Sequence, residues 1–348
     1  MRSAARTSFI ALAMLGMPLP ACTSSPRAGD VASGGASGGA SGGMDASSPR
    51  TPAAPANVAV WADVLERTPD PAVVTDPELR ARIASSGLPW RVRDRASGIE
   101  MLLVPAGRFV MGKSPGDGQA FASELPAHEV TLTRPFYLGR HEVMQGEWSR
   151  AMGSDPSRFT HAPRDRDREI ARLMEQGMTR REAEAKVPDI ESSAMPVVRL
   201  PVDSVSWDDC ERFCRKTGLR LPTEAEWEFA ARAGVRAPCY GALDAVAWHS
   251  GNSLARAREV GQKQANALGF HDMLGNLWEW CSDWYDGTAY ADRELGVSDP
   301  AGAEDGDFKV VRGGSWDVDA GSARASHRGD VTPGYADSSF GLRVARDP

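Results

Sequence analysis

Apolar and polar residues alternate along HEVTLTRPFYL (128–138), the pattern of a strand with one face in the core and one in water. MLLVPAGRFVMG (101–112) reads as two short strands around a Pro-Ala-Gly turn. HEVMQGEWSRAMG (141–153) then changes to a helical period and stops at Gly153. Two firmer helices follow. Ser206 caps WDDCERFCRKT, which ends at Gly218 and puts Trp207, Cys210, Phe213 and Cys214 on one face. RLPTEAEWEFAARAG starts at a capping box of Thr223 and Glu226 and stops at Gly234. Upstream, Asp76-Pro77-Glu78 begins a helix that Gly87 ends, so residues 57–99 read as a helical prelude to the body at 100–348. Residues 160–195 are dense in charge and poor in aromatics. Thr179 and Glu182 cap a helix there to Val187, and the stretch reads as a charged helical insertion on the surface. Beyond Gly234 the pattern dissolves into glycines and tryptophans. Eight of the 10 tryptophans lie between 148 and 316, which predicts a core of little regular structure held by large aromatics.

The N-terminus follows a different logic. Arg2 and Arg6, an apolar run from Phe9 to Leu19, and Cys22 after a small residue form a secretory signal over residues 1–21. The apolar run is too short for a stable spanning helix. A cysteine at that place resembles the lipidated residue of a bacterial lipoprotein, although Pro20 departs from the usual small residue; plain secretion is the other reading. Residues 22–56 are then the lipidated cysteine and a Gly/Ser/Pro tether too poor in apolar residues to fold, with a reach of roughly 30 Å. The expected localisation is exported and membrane-anchored, facing the periplasm or the cell exterior.

Net charge is −7, or −9 once Arg2 and Arg6 are removed with the signal, and there is no basic run, which excludes nucleic acid as a partner. An exported chain permits disulfides. Cys210 and Cys214 sit one helical turn apart, where a bridge would be strained. The body cysteines are therefore buried thiols, or Cys239 pairs with Cys281.

VPAGRFVMG (104–112), VSWDDCERFCRKTGLRLPTEAEWEFAARAG (205–234), NALGFHDMLGNLWEWCSDWY (266–285), VVRGGSW (310–316) and SSFGLRVAR (338–346) stand in that order. Together they resemble the sulfatase-modifying-factor family, the formylglycine-generating-enzyme-like domains, over about residues 100–347. The resemblance implies an α/β (α+β) domain with much irregular structure, related to C-type-lectin-like folds. It implies, for active members, copper held by two cysteines and oxidation of a substrate cysteine by oxygen. Other members include an iron-dependent sulfoxide synthase and maturation factors for a peptide siderophore.

The family's cysteine pair falls at Val318 and Ala323 in this chain, and both thiols are absent. Cu(I) requires soft thiolates, whereas Asp317 and Asp319 are hard oxygen donors. Copper is therefore not expected. The six histidines are scattered and form no His-x-x-x-His pair, so the iron chemistry is unsupported as well. Ser315, Asp317, Asp319 and His327 remain the candidate catalytic residues, each with a plain structural reading beside it: a turn cap for Ser315, a surface loop position for His327 with Arg324 and Arg328. Arg343 is expected to pair with a core carboxylate, and Trp278, Trp280 and Trp284 to be core.

In HDMLGNLWEW two acids bracket a Gly-Asn turn, a spacing that more often marks a turn cap and an arginine partner but also suits calcium. The resemblance implies calcium on the side chains of Asp272 and Glu279 and the carbonyls of Gly275 and Leu277. A second family site would begin at Asn252 but is shortened here. Three functions follow: a lipid-anchored binding or scaffold module for a protein, peptide or small ligand; an oxidoreductase of this superfamily with non-standard ligands; and an accessory protein to an exported sulfatase or secreted peptide enzyme.

Overall fold

Pro135 splits the alternating stretch 128–138 into two strands that enter different sheets. Lacking an N–H, it cannot extend a hydrogen-bonded ladder. In the computed structural model, which describes residues 58–159, 170–171, 173–175, 177–186, 199–291 and 296–348, one sheet has the order β1 (Ala62–Glu66), β2 (Arg91–Asp94), β3 (Glu100–Val104), β6 (Phe136–Gly139) and β14 (Ala345–Arg346). Its neighbours are all antiparallel. A second sheet sets β5 (His128–Leu132) between β4 (Gly107–Met111) and β10 (Val297–Ser298). A third runs β12 (Arg328–Val331), β11 (Lys309–Arg312), β9 (Trp278–Trp284), β13 (Phe340–Gly341), and the short pair β7 (Ala247–Trp248) and β8 (Leu274–Gly275) is parallel. The mixed α/β architecture with long irregular stretches is the one the sequence implies.

The prelude is corrected by this topology. Residues 57–99 do contain the expected helix, Pro77–Ser85, with the Asp76 carboxylate accepting from the Glu78 and Leu79 amides at 2.8 and 3.4 Å. They also supply β1 and β2, which pair Val64 with Val92 and extend the first sheet. The segment is part of the body because Val92 and Ile83 are wholly buried in the main core.

Local signals fare well elsewhere. Helix Gln145–Met152 ends at Gly153, whose φ of 80° is left-handed. Helix Trp207–Thr217 is capped by Ser206 and stopped by Gly218, with Cys210, Phe213 and Cys214 buried. Helix Glu224–Arg232 carries the Thr223–Glu226 capping box, but Ala233 takes the left-handed cap one residue before Gly234. The signal, Cys22 and the tether lie outside the described residues, as does much of 160–195. The described part of that insertion includes helix Arg180–Lys186, and Ile170, Leu173 and Ala183 form a small apolar cluster that Leu254 of the body packs against. Among the described residues no helix is long and apolar enough to cross a membrane.

Candidate functional site

Strand β11 delivers Arg312 to the start of the segment that resembles the copper site. Gly313 and Gly314 follow with φ of 98° and 80°. A side chain on Gly314 would press within 3.2 Å of the Ser322 carbonyl, so the doubled glycine is needed to fold the chain back on itself. The turn is pinned from outside. The Trp316 amide donates to the Asn276 carbonyl at 2.7 Å, its indole to the Ser338 carbonyl at 2.8 Å, and the Ser253 hydroxyl to the Trp316 carbonyl at 2.8 Å.

The four candidate residues are occupied separately. The buried Ser315 hydroxyl donates to the exposed Asp317. Asp319 caps the 3-10 turn Ala320–Ser322, accepting from the Gly321 amide at 2.7 Å. His327 holds its Nδ1 proton toward the Ser322 carbonyl at 2.8 Å, stacks on Phe121 at 5.2 Å between centroids and meets Trp278 edge-on at 5.3 Å. Burial pushes its pKa below the ordinary value, so the ring stays neutral. Asp317, Asp319 and His327 thus do not form a replacement ligand set. Among the described residues no three His, Cys, Asp or Glu side chains are grouped to hold a metal. Val318 is half-buried, and Ala323 is 0% exposed.

Arg324 and Arg328 are placed differently from the sequence reading, which set them beside His327 on a loop surface. Both are buried. Arg324 reaches back to Asp117 at 2.8 Å and grips Glu124 with two bonds of 2.7 Å. Arg328 is bidentate on Glu224 at 2.7 and 3.0 Å. Arg312, fully buried, binds Glu224 at 3.2 Å and also pairs with Glu228. Burial pushes the Glu124 carboxyl up, but the Arg324 hydrogen bonds and charge overcome it and hold the group at about 2. This platform escaped sequence reasoning because Arg324 and Glu124 lie 200 residues apart.

The 272–279 loop touches the segment: the Gly275 amide donates to the Gly313 carbonyl at 2.8 Å. Gly275 is obligatory, since a Cβ there would sit 2.0 Å from the Trp248 carbonyl. As expected, Arg343 pairs with a core carboxylate, binding Glu279 through bonds of 2.7 to 3.1 Å, and the Trp227 indole adds one of 2.6 Å. Of the tryptophans, Trp280 is wholly buried, while Trp278 and Trp284 are half-buried. Calcium therefore fits the implied donors only in part. Asp272 accepts from the Gly261 amide through Oδ2, at 2.6 Å, and its buried Oδ1 has no partner. Glu279 is already filled by cationic and neutral donors. Among the described residues the other orphaned buried carboxylate oxygen is Oε2 of Glu142, whose Oε1 accepts from Asn276 at 3.0 Å. Burial, followed by the charge of Asp272, pushes Glu142 well above the carboxylate range, and burial takes Asp272 to about 6.

Cys210, Cys214, Cys239 and Cys281 are all buried and in no disulfide, so the Cys239–Cys281 alternative is not formed. Burial raises the Cys210 and Cys281 thiols far above their ordinary value and Cys214 to about 12, which keeps them protonated and inert.

Fold and site together define a mixed α/β domain of the formylglycine-generating-enzyme-like type. The chain belongs to the sulfatase-modifying factor enzyme 1-like domain family (FGE-sulfatase), which matches residues 90–348. It is 31% identical over 252 residues to a serine/threonine-protein kinase, pkn1, of Chlamydia pneumoniae, a match covering 71% of this chain but only 38% of that protein. It is 30% identical over 284 residues to the formylglycine-generating enzyme of Streptomyces coelicolor, covering 70% of this chain and 88% of the enzyme. The solved structure of PvdO from Pseudomonas aeruginosa superposes with a TM-score of 0.57 at 25% identity, covering 74% of this chain and 98% of PvdO.

Proposed function

We propose that this protein is an extracytoplasmic binding or accessory module of its family, held at a membrane by a lipid on Cys22, that has kept the active-site turn without the copper chemistry. The observation that carries the reading is the pair Val318 and Ala323 at the thiol positions, with Asp317, Asp319 and His327 each engaged elsewhere. Without soft donors, Cu(I) has nothing to hold it. The turn still presents a surface in which His327 stacks on Phe121 and meets Trp278 edge-on, with the exposed Asp317 and Asp319 on the same segment, a mixture of apolar area and polar handles that suits a peptide or small ligand. The purified full chain, assayed for metal and for oxidation of a cysteine peptide, is expected to hold no stoichiometric copper and to form no aldehyde. One tightly bound copper per chain sinks the proposal. Cys22→Ala is expected to release the protein from membranes; continued retention removes the anchor.

The second reading, an oxidoreductase with non-standard ligands, is favoured by one observation, the 88% coverage of the Streptomyces enzyme. Aldehyde formation in the same assay without copper would establish it.

A further inference from the structure

A cavity of about 390 Å³ opens between helix Pro77–Ser85, strand β4 and the C-terminal end of helix Glu224–Arg232. It shares no lining residue with segment 311–328 or loop 272–279. Its volume suits a small organic ligand. Phe109 and Phe229 meet edge to face at 5.3 Å on its wall, and Leu79 and Leu268 extend the apolar lining.

The charges around it sort into those already used and those left over. Arg232 is consumed: it binds Glu228 at 2.8 Å, the Ser114 hydroxyl at 3.1 Å and the Gly112 carbonyl at 2.6 Å. Asp76 is spent on capping its own helix, and Arg108 faces Glu129 at 3.6 Å. Lys113 and Arg236 have no carboxylate partner among the described residues, and Arg82 has only the Ala106 carbonyl, at 2.7 Å. Against these three cations stands one uncommitted acid, Glu78. Lys113 lies between Gly112 and Ser114, the two residues that Arg232 ties to the end of its helix, and Arg236 follows that helix by four residues; both line the cavity.

A helix C-terminus ordinarily repels an anion through its unpaired carbonyls. Here the last four are engaged. The Ala233 amide takes the Phe229 carbonyl and the Val235 amide takes that of Arg232, while Asn266 Nδ2 bridges those of Ala230 and Ala231 at 2.7 and 3.2 Å. The negative end of the helix is thereby blunted where it borders the cavity.

We propose that this cavity binds a small amphipathic anion, its apolar body against Phe109 and Phe229 and its single carboxylate or sulfonate at Lys113 and Arg236. The site is independent of the reading of segment 311–328. Titration of the full chain with 8-anilinonaphthalene-1-sulfonate tests it, with the uncharged N-phenyl-1-naphthylamine as control. Saturable sulfonate binding is expected. A Lys113→Met, Arg236→Met double variant should weaken it at least tenfold and leave the neutral probe within threefold. Phe109→Ala should weaken both probes. Neither cation makes an ion pair among the described residues, so the double variant should melt as the parent does. No saturable sulfonate binding, or an affinity within threefold of the parent in the double variant, overturns the proposal. So does sulfonate binding that survives Phe109→Ala unchanged, which would place the probe elsewhere on the chain.

Discussion

The segment 312–328 and the loop 272–279 lie against each other, joined by the Gly275–Gly313 and Trp316–Asn276 backbone bonds, yet they treat buried charge in opposite ways. In the segment, each of the three buried arginines meets a buried carboxylate, and only Arg312 Nε lacks a partner. Beside the loop, Asp272 Oδ1 and Glu142 Oε2 are buried without partners. Closed accounting marks a scaffold: the paired arginines and carboxylates keep the turn in shape without a further group. Open accounting marks a place that still demands a proton or a cation, because an unpaired buried carboxylate is costly.

The sharpest way to break this contrast is to open the closed side. Arg312→Met should destabilise the fold by about 3–5 kcal/mol, since it leaves Glu224 and Glu228 buried with less compensation. Urea denaturation measures it. A loss under 1 kcal/mol would mean that the carboxylates accept protons cheaply and that the platform is not what fixes the turn.

Acid offers a second handle on the same side. Glu124 has an ordinary pKa of 4.5 and is held at about 2 in the folded chain, mainly because the Arg324 hydrogen bonds outweigh burial. As pH falls, the unfolded chain therefore takes up this proton first. The stability the pair contributes is complete above pH 4.5 and is lost between 4.5 and about 2. Urea midpoints of the parent and of Glu124→Gln should be far apart at pH 6 and converge toward pH 3. A gap that stays constant with pH would show that the carboxyl is not titrating.

On the open side, the expected effect is smaller and depends on a ligand. We propose that calcium satisfies Asp272 and Glu142, with the Gly275 and Leu277 carbonyls as the other oxygen donors. Chelation should then lower the melting temperature by a few degrees, the shift expected of ~1 kcal/mol in a chain of this size. Asp272→Asn should melt at the same temperature with and without chelator. If chelation moves the melting point of neither protein, protons alone meet the demand of the two acids.

What the sequence disclosed follows the range of the interactions. The Ser206 cap and the Thr223–Glu226 capping box are local devices, and both are where the sequence places them. The Gly-Gly turn and the Asp272 loop were legible as motifs. The chemistry around them was not, because their partners come from far away: Glu124 and Asp117 for Arg324, and Glu142 for the loop, 134 residues before Asn276. Strands β1 and β2 were missed for the same reason. Each is too short to announce itself, and β1 is a strand only because β2 lies beside it, an edge the prelude shares with the first sheet.

Modest effects on the segment separate an occupied surface from a hidden ligand set. Asp319 caps one short turn, so Asp319→Ala should cost about 0.5–1 kcal/mol. Asp317→Ala leaves the buried Ser315 hydroxyl without its acceptor and should cost about 1–2 kcal/mol. Because the two carboxylates serve different backbone and side-chain partners, the double variant should equal the sum of the singles to within ~0.5 kcal/mol. Two acids sharing one cation would behave otherwise, since removing the first would leave the second with little to lose. A coupling well above that margin, appearing with added divalent metal and vanishing with chelator, would restore Asp317 and Asp319 as a joint site and open the segment as well as the loop.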